Sequence, residues 1–588
     1  MNSDVKEEKI DTENMFQLPI DFLERKTELE KHTIYDLELL PEDPKQSLYK
    51  YLLKPDTIFG EKTMQLWSKY YTSDVSFLKD SQTLLKKKEL FISSSGETQE
   101  KVNDIWKDIK EETAFNEKYG YIEWEKISML NNSSKFLQCL SIYNMTAPIF
   151  SLMLPIFFLI LPLFILKVRG MPITIEKYFE LLKLVFKKHQ IGKIFDISNA
   201  SFEKIIYTMA SLIFYGIQIY QNIMTCNRFY YNMAKIHTQL FTMRDYLENT
   251  INTMEVLKTQ CIGLTTFEPF IANMTHHQSV CKIMFNEFKK IIPNKFSIKK
   301  FWQIGHTMKC FYQLYSHKQF HETLEYSFGF TGYIDNLNGI RNNISLKNIG
   351  LCKFKKSTTT KFKNAYFPSL VDETPIKNSY KLDKNLIITG PNAAGKTTLL
   401  KTTIFNIILS QQIGYGFYKT ATIEPYDMIH CYINIPDTSA RDSLFQAEAN
   451  RCKNILSEID KPQLHTNGST FSNKKLRHFC VFDELYSGTN PYEAISSAYA
   501  YLKYLHKYDN VNFVLTTHFL ELCRRLEKEE GIHNYHMKIE TTGDTFKYTY
   551  KMIKGISYIK GGVKVLRDLE YPNEIINMTT HILKELDI

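Results

Sequence analysis

One segment constrains this chain more than any other: Gly390-Pro391-Asn392-Ala393-Ala394-Gly395-Lys396-Thr397. It follows directly on Leu386-Ile387-Ile388-Thr389, an apolar run suited to a buried parallel strand, and leads into the helix-like Thr398-Leu399-Leu400-Lys401. A strand, a G-x-x-x-x-G-K-[ST] loop and a helix in that order make a phosphate-binding unit. The glycines let the backbone curl until its N–H groups point at phosphate oxygens, and the helix N-terminus adds a favourable partial charge. In such a loop Lys396 reaches the β- and γ-phosphates, and Thr397 offers its hydroxyl to Mg²⁺. The expected ligands are ATP and Mg²⁺, held by residues 390–397 with Thr398.

Two further strand ends complete the pattern. Phe479-Cys480-Val481-Phe482 is a second buried-strand run, ending in Asp483-Glu484. Asp483 is placed to hold Mg²⁺, and Glu484 to orient or deprotonate the attacking water. Phe513-Val514-Leu515-Thr516-Thr517-His518 is the third. It puts His518 at the carboxyl edge of the sheet, where ligands bind in open α/β folds. The expected catalytic pair is therefore Glu484 and His518, and the expected metal ligands are Thr397 and Asp483. Taken alone, the acid pair reads equally as surface acids, and the histidine as a structural one. Their positions downstream of the phosphate loop give them chemical weight.

The remainder of the 588 residues sets the frame. At roughly 150 residues per domain, the length implies about three to four domains. A hydrophobic fraction of 44% is enough for packed cores and excludes a wholly disordered chain. The net charge of +9 is compatible with nucleic acid or an anionic membrane surface, and equally with a solvated basic exterior. The ten cysteines show neither zinc-knuckle nor redox spacing, so reduced thiols inside the cell are expected. The polar, acidic N-terminus has no apolar core of a signal peptide.

Residues 1–15 read as a loose tail and 16–140 as a helical region. Residues 141–225 read as an apolar helical hairpin or membrane-associated segment, 226–345 as a helical, lever-like region, and 346–588 as an α/β nucleotide-binding domain. Within the third of these, Ala147–Leu166 holds twenty residues without a charge. As a helix that is about 30 Å, the thickness of a bilayer core. A second uncharged run, 205–224, is less apolar. Pro148, Pro155 and Pro162 recur every seven residues, and the two interior ones each remove a backbone donor. Hydropathy favours membrane association through 147–166 and 205–224; a buried hairpin in a large soluble domain is the alternative. Eight basic residues lie between the runs, from Lys167 to Lys204, which argues for a cytosolic location of that segment.

The C-terminal motifs resemble the MutS family of DNA mismatch-repair proteins. TGPNAAGKTTLLK resembles its phosphate loop, DELYSGTNPYEAISSA its acidic strand and following loop, and LTTHFLEL its histidine segment. Asp442-Ser443-Leu444-Phe445-Gln446-Ala447-Glu448 resembles the S-x-F-x-x-E signature. YFPSLVDETPIKNSYKL and the stretch from Tyr535 to Ile576 resemble the opening strand and the closing hairpin and helix of the same domain. The resemblance covers about residues 346–585. It implies a P-loop NTPase domain of ABC-type architecture, ATPase activity, and a preceding α-helical lever or clamp region that embraces double-stranded DNA. It also implies a homodimer in which Ser443 of one chain reaches the γ-phosphate held by the other. Asn392 would contact phosphate or the water, and Tyr366 or Phe367 would lie near the adenine.

Departures from the family pattern are also visible. Arg441-Asp442 stand where a glycine usually precedes the signature serine. A polar insertion spans 461–475. The mismatch-reading Phe-x-Glu element is missing, with Tyr178-Phe179-Glu180 only a partial echo. A membrane-associated ATPase that has lost mismatch recognition is the alternative these departures leave open. A transporter ATPase would carry LSGGQ shortly before the acidic strand, and no such segment is present.

Overall fold

The computed structural model describes residues 15–40, 46–87, 91, 95–170, 172, 174–188, 202–293, 298–356, 359–383, 385–433, 435, 444–461, 475–542, 545–558 and 562–585. Two compact units divide the chain by contact rather than by order. The first comprises 1–96, 252–277 and 325–588; the second comprises 97–251 and 278–324.

The first unit is built on a six-stranded sheet. From edge to edge its strands are Thr545–Lys554, Ile532–Thr542, Asn385–Thr389, Val511–Thr517, His478–Asp483 and Met428–Tyr432. All neighbours run parallel except the edge hairpin of 532–542 with 545–554. Parallel strands buried on both faces need continuous apolar sequence. Asn385–Thr389 is buried at every position, as is His478–Phe482. A second, five-stranded sheet holds Gly350–Phe354, Thr360–Ala365, Asn378–Leu382, Tyr415–Gly416 and Thr420–Ile423.

The helix Lys396–Ile413 is buried along nearly its whole length, so the residue types on all of its faces matter. Its last turn carries two glutamines that act as connectors. Gln411 Nε2 donates to the carbonyls of Thr72 and Tyr426, at 3.1 and 2.7 Å, and its Oε1 accepts from Tyr426 N at 2.8 Å. Gln412 donates to the carbonyls of Trp67 and Tyr70, and accepts from the Tyr49 hydroxyl. The helix ends at Gly414, whose φ of +75° favours glycine; a Cβ there would lie 2.5 Å from Gln82. The N-terminal segment thus packs on the helix 396–413, a long-range association that no local pattern announces.

In the second unit the uncharged run 147–166 lies inside one 35-residue helix, Ser134–Val168. The run 205–224 lies in the 59-residue helix Phe202–Gln260, whose last residues belong to the first unit. Burial of the hairpin is not what the described side chains show: Phe150, Phe157 and Phe214 are each about two-thirds exposed or more, at 68%, 67% and 70%. One helical window, Ser134–Met153, is long and apolar enough to cross a membrane by length and composition. Tyr178-Phe179-Glu180 sits in the helix Ile175–Lys188 with Phe179 exposed. All ten cysteines are free thiols.

Candidate functional site

The site forms where the carboxyl ends of three adjacent parallel strands meet one loop. Between Thr389 and Lys396 the loop takes φ of +151° at Gly390, +64° at Ala393 and +91° at Gly395. At Gly395 a Cβ would also come within 3.2 Å of the Tyr550 ring, so this position requires glycine on two counts. Lys396 opens the helix and is only 5% exposed. Its Nζ donates to the carbonyl oxygens of Gly390 and Pro391, at 2.8 and 3.3 Å. Burial lowers its pKa, while the carboxylates of Glu484 and Asp483 oppose that effect.

Thr397 Oγ1 donates to Asp483 Oδ2 at 2.7 Å. Parallel register sets Asp483 beside Thr516, whose hydroxyl donates to Asp483 Oδ1. Burial pushes the Asp483 pKa up, and the bonds from Thr516 and Thr397 pull it down. A hydroxyl and a carboxylate this close, beside a phosphate loop, form the hard oxygen donor set that Mg²⁺ takes alongside water and phosphate. The residues present therefore fit that ion.

Glu484 holds a left-handed φ of +50°, and its amide donates to Thr516 O at 2.9 Å. For a non-glycine residue this conformation is strained, a feature that concentrates at functional positions. Glu484 Oε1 lies 3.5 Å from His518 Nδ1 and 4.0 Å from Lys396 Nζ. The hydrogen bond with His518 holds the carboxyl below the ordinary glutamate range, against the opposing effect of burial. Glu484 is then ionised at neutral pH, as an acceptor of a proton from water must be.

A cavity of about 820 Å³ opens beside these groups. Pro391, Asn392, Ala393, Gly395, Lys396, Thr397, Thr398 and Glu484 line one side. Tyr366, Phe367, Leu370, Ile376, Met537 and Tyr550 line the rest. Its size suits a nucleotide-sized ligand, and its lining combines charged side chains with apolar and aromatic surface.

The structure brings Lys396, Thr397, Asp483, Glu484 and His518 together. Ser443 lies outside the described residues. Sequence reasoning missed Thr516, whose role follows from strand register, and Met537 and Tyr550, which the closing hairpin supplies. It also assigned no task to Glu448. That buried carboxylate accepts from Ser487 Oγ and Gly488 N, both at 3.2 Å, and so holds the loop after Glu484. Elsewhere, Glu287, His306 and Cys310 bring metal-ligand atoms within 4.8 Å of one another. There His306 Nε2 already faces the Glu287 carbonyl oxygen at 3.1 Å, and the Glu287 carboxylate is paired with Lys290.

Residues 386–587 match the family model described as MutS domain V. Among curated proteins, the chain is similar to the DNA mismatch repair protein MutS of Persephonella marina, with 30% identity over 38% of this chain and 24% of that protein. It is similar to the proteins of the same name from Parabacteroides distasonis, at 31% over 37% and 24%, and Fusobacterium nucleatum, at 32% over 36% and 23%. The match thus spans about a quarter of the length of these curated relatives.

Proposed function

We propose, on the premise that the C-terminal region of this chain belongs to the MutS family, that the protein is an ATP-hydrolysing, DNA-binding dimer acting inside the cell in mismatch repair or a related DNA-maintenance process. The supporting observation is that Lys396, Thr397 and Glu484 line one cavity, with Asp483 bonded to Thr397 and His518 facing Glu484.

The roles follow from that geometry. The loop amides from Gly390 to Gly395 and the Lys396 ammonium hold the triphosphate. Lys396 exchanges its two carbonyl partners for phosphate oxygens, which relieves the desolvation of its charge. Thr397 and Asp483 would hold Mg²⁺, which when bound would neutralise charge on the phosphate oxygens. Glu484 orients the attacking water and accepts its proton, with His518 fixing the carboxylate. The products are ADP and phosphate. Tyr366 and Phe367 line the part of the cavity suited to the base. By the family resemblance rather than the geometry, Ser443 of a second chain would complete the site, so that nucleotide closes a homodimer and alters its grip on duplex DNA.

The test is a binding panel on the full chain with homoduplex, mismatched and branched DNA, with and without ATP, over a salt series. Affinity should fall steeply with salt, because Lys and Arg contacts to phosphate release counterions, and it should respond to ATP. Undetectable or salt-insensitive binding contradicts the DNA reading and leaves the ATPase reading to its own test.

A further inference from the structure

We propose that the helical hairpin formed by residues 144–166 and 205–227 of the second unit inserts into the hydrocarbon of a lipid bilayer. This goes beyond the ATP-dependent reading and does not rest on it. The two helices meet through polar groups. Tyr215 Oη donates to the Ser151 carbonyl at 2.6 Å, Asn222 Nδ2 donates to Ser151 Oγ at 2.5 Å, and Cys226 Sγ faces the Met145 carbonyl at 3.7 Å. Away from this seam the surface is apolar. Phe150, Phe157 and Phe164 follow one another at seven-residue steps, as do Ile206, Ile213 and Tyr220 on the other helix, and all six are more than half exposed.

Three observations select lipid as the occupant. The first is backbone satisfaction. Pro155 has no amide hydrogen, so the carbonyl four residues earlier, that of Ser151, loses its helical partner. In water a solvent molecule would serve; here the Tyr215 hydroxyl does. A protein donor standing in for water at this proline-opened turn is what a helix in hydrocarbon requires.

The second is length. Residues 136–166 and 205–227 carry no Asp, Glu, Lys or Arg. The shorter run is about 34 Å as a helix, and a bilayer core is about 30 Å. The third is charge. Lys167, Arg169, Lys177 and Lys183 follow the first run, where they complement anionic headgroups.

The experiment is flotation of the purified full chain with phosphatidylcholine–phosphatidylglycerol vesicles, washed at high salt. The wild type should float and survive the wash. A Phe150→Glu, Phe157→Glu, Ile213→Glu variant changes only outward-facing side chains. It should remain folded by circular dichroism, keep its ATP turnover and lose at least about a hundredfold in vesicle partition. A Phe157→Trp variant should be quenched by brominated acyl chains. Wild type left at the bottom of the gradient, removal by salt, equal flotation of the triple variant, or flotation without quenching would each overturn the proposal. Loss of self-association or of DNA binding in the triple variant, with no flotation of the wild type, would assign the face to a second copy or to DNA instead.

Discussion

At the scale of single residues, the chemistry rests on how each charge is held. Lys396 is nearly sealed from solvent, and among the described residues two carbonyls and the nearby carboxylates of Glu484 and Asp483 compensate its charge. Lys396→Ala should therefore abolish measurable ATP binding, read by equilibrium titration with a labelled nucleotide, while leaving the fold intact. Glu484 is depressed chiefly by its bond with His518. A carboxyl held below its usual range stays ionised as pH falls, so the acid limb of the turnover profile should lie below that of an ordinary glutamate. In His518→Ala that stabilisation is lost while burial remains, and the limb should move to higher pH. An unmoved limb would mean that His518 does not set the ionisation of the base. These groups were legible in the sequence because each closes a short, contiguous strand-and-turn pattern. Thr516 was not, because its contact with Asp483 depends on pairing two strands more than thirty residues apart.

At the scale of elements, the N-terminal segment braces the helix that follows the phosphate loop. Gln411 satisfies three backbone groups at once, and Gln411→Ala would leave them unpaired in a dry interior. The expected loss is about 1–3 kcal/mol or more, measured by urea unfolding. On neighbouring strands, His430 Nε2 and His478 Nδ1 lie 3.1 Å apart, and His430 Nδ1 faces Glu30 Oε1 at 3.1 Å. Burial, aided by His430, takes His478 from 6.5 down to about 4. The unfolded chain therefore binds a proton there that the folded chain refuses, and stability should decline as pH falls from 6.5 toward 4. His478→Gln should flatten that slope; an unchanged slope would remove His478 as its source. The Glu30–His430 and Thr72–Gln411 bridges span 400 and 339 positions of sequence, where no periodicity can reveal them. By contrast, the helical character of the two uncharged runs was readable from composition alone. Their mutual seam was not, because a tyrosine reaching a proline-opened carbonyl leaves no pattern in either helix.

At the scale of the whole molecule, the proposed completion of the site by a second chain would tie oligomeric state to nucleotide. The protein should sediment as a larger species with ATP and Mg²⁺ than without, and Lys396→Ala should remove the difference. The central claim is that the loop at 390–397, the acids at 483–484 and the imidazole at 518 act on one triphosphate. Its most direct test compares ATP binding and hydrolysis in Glu484→Gln. The account predicts affinity close to wild type with hydrolysis reduced by about 10²–10⁴, the ordinary contribution of a positioned base. Hydrolysis at the wild-type rate in that variant would contradict it.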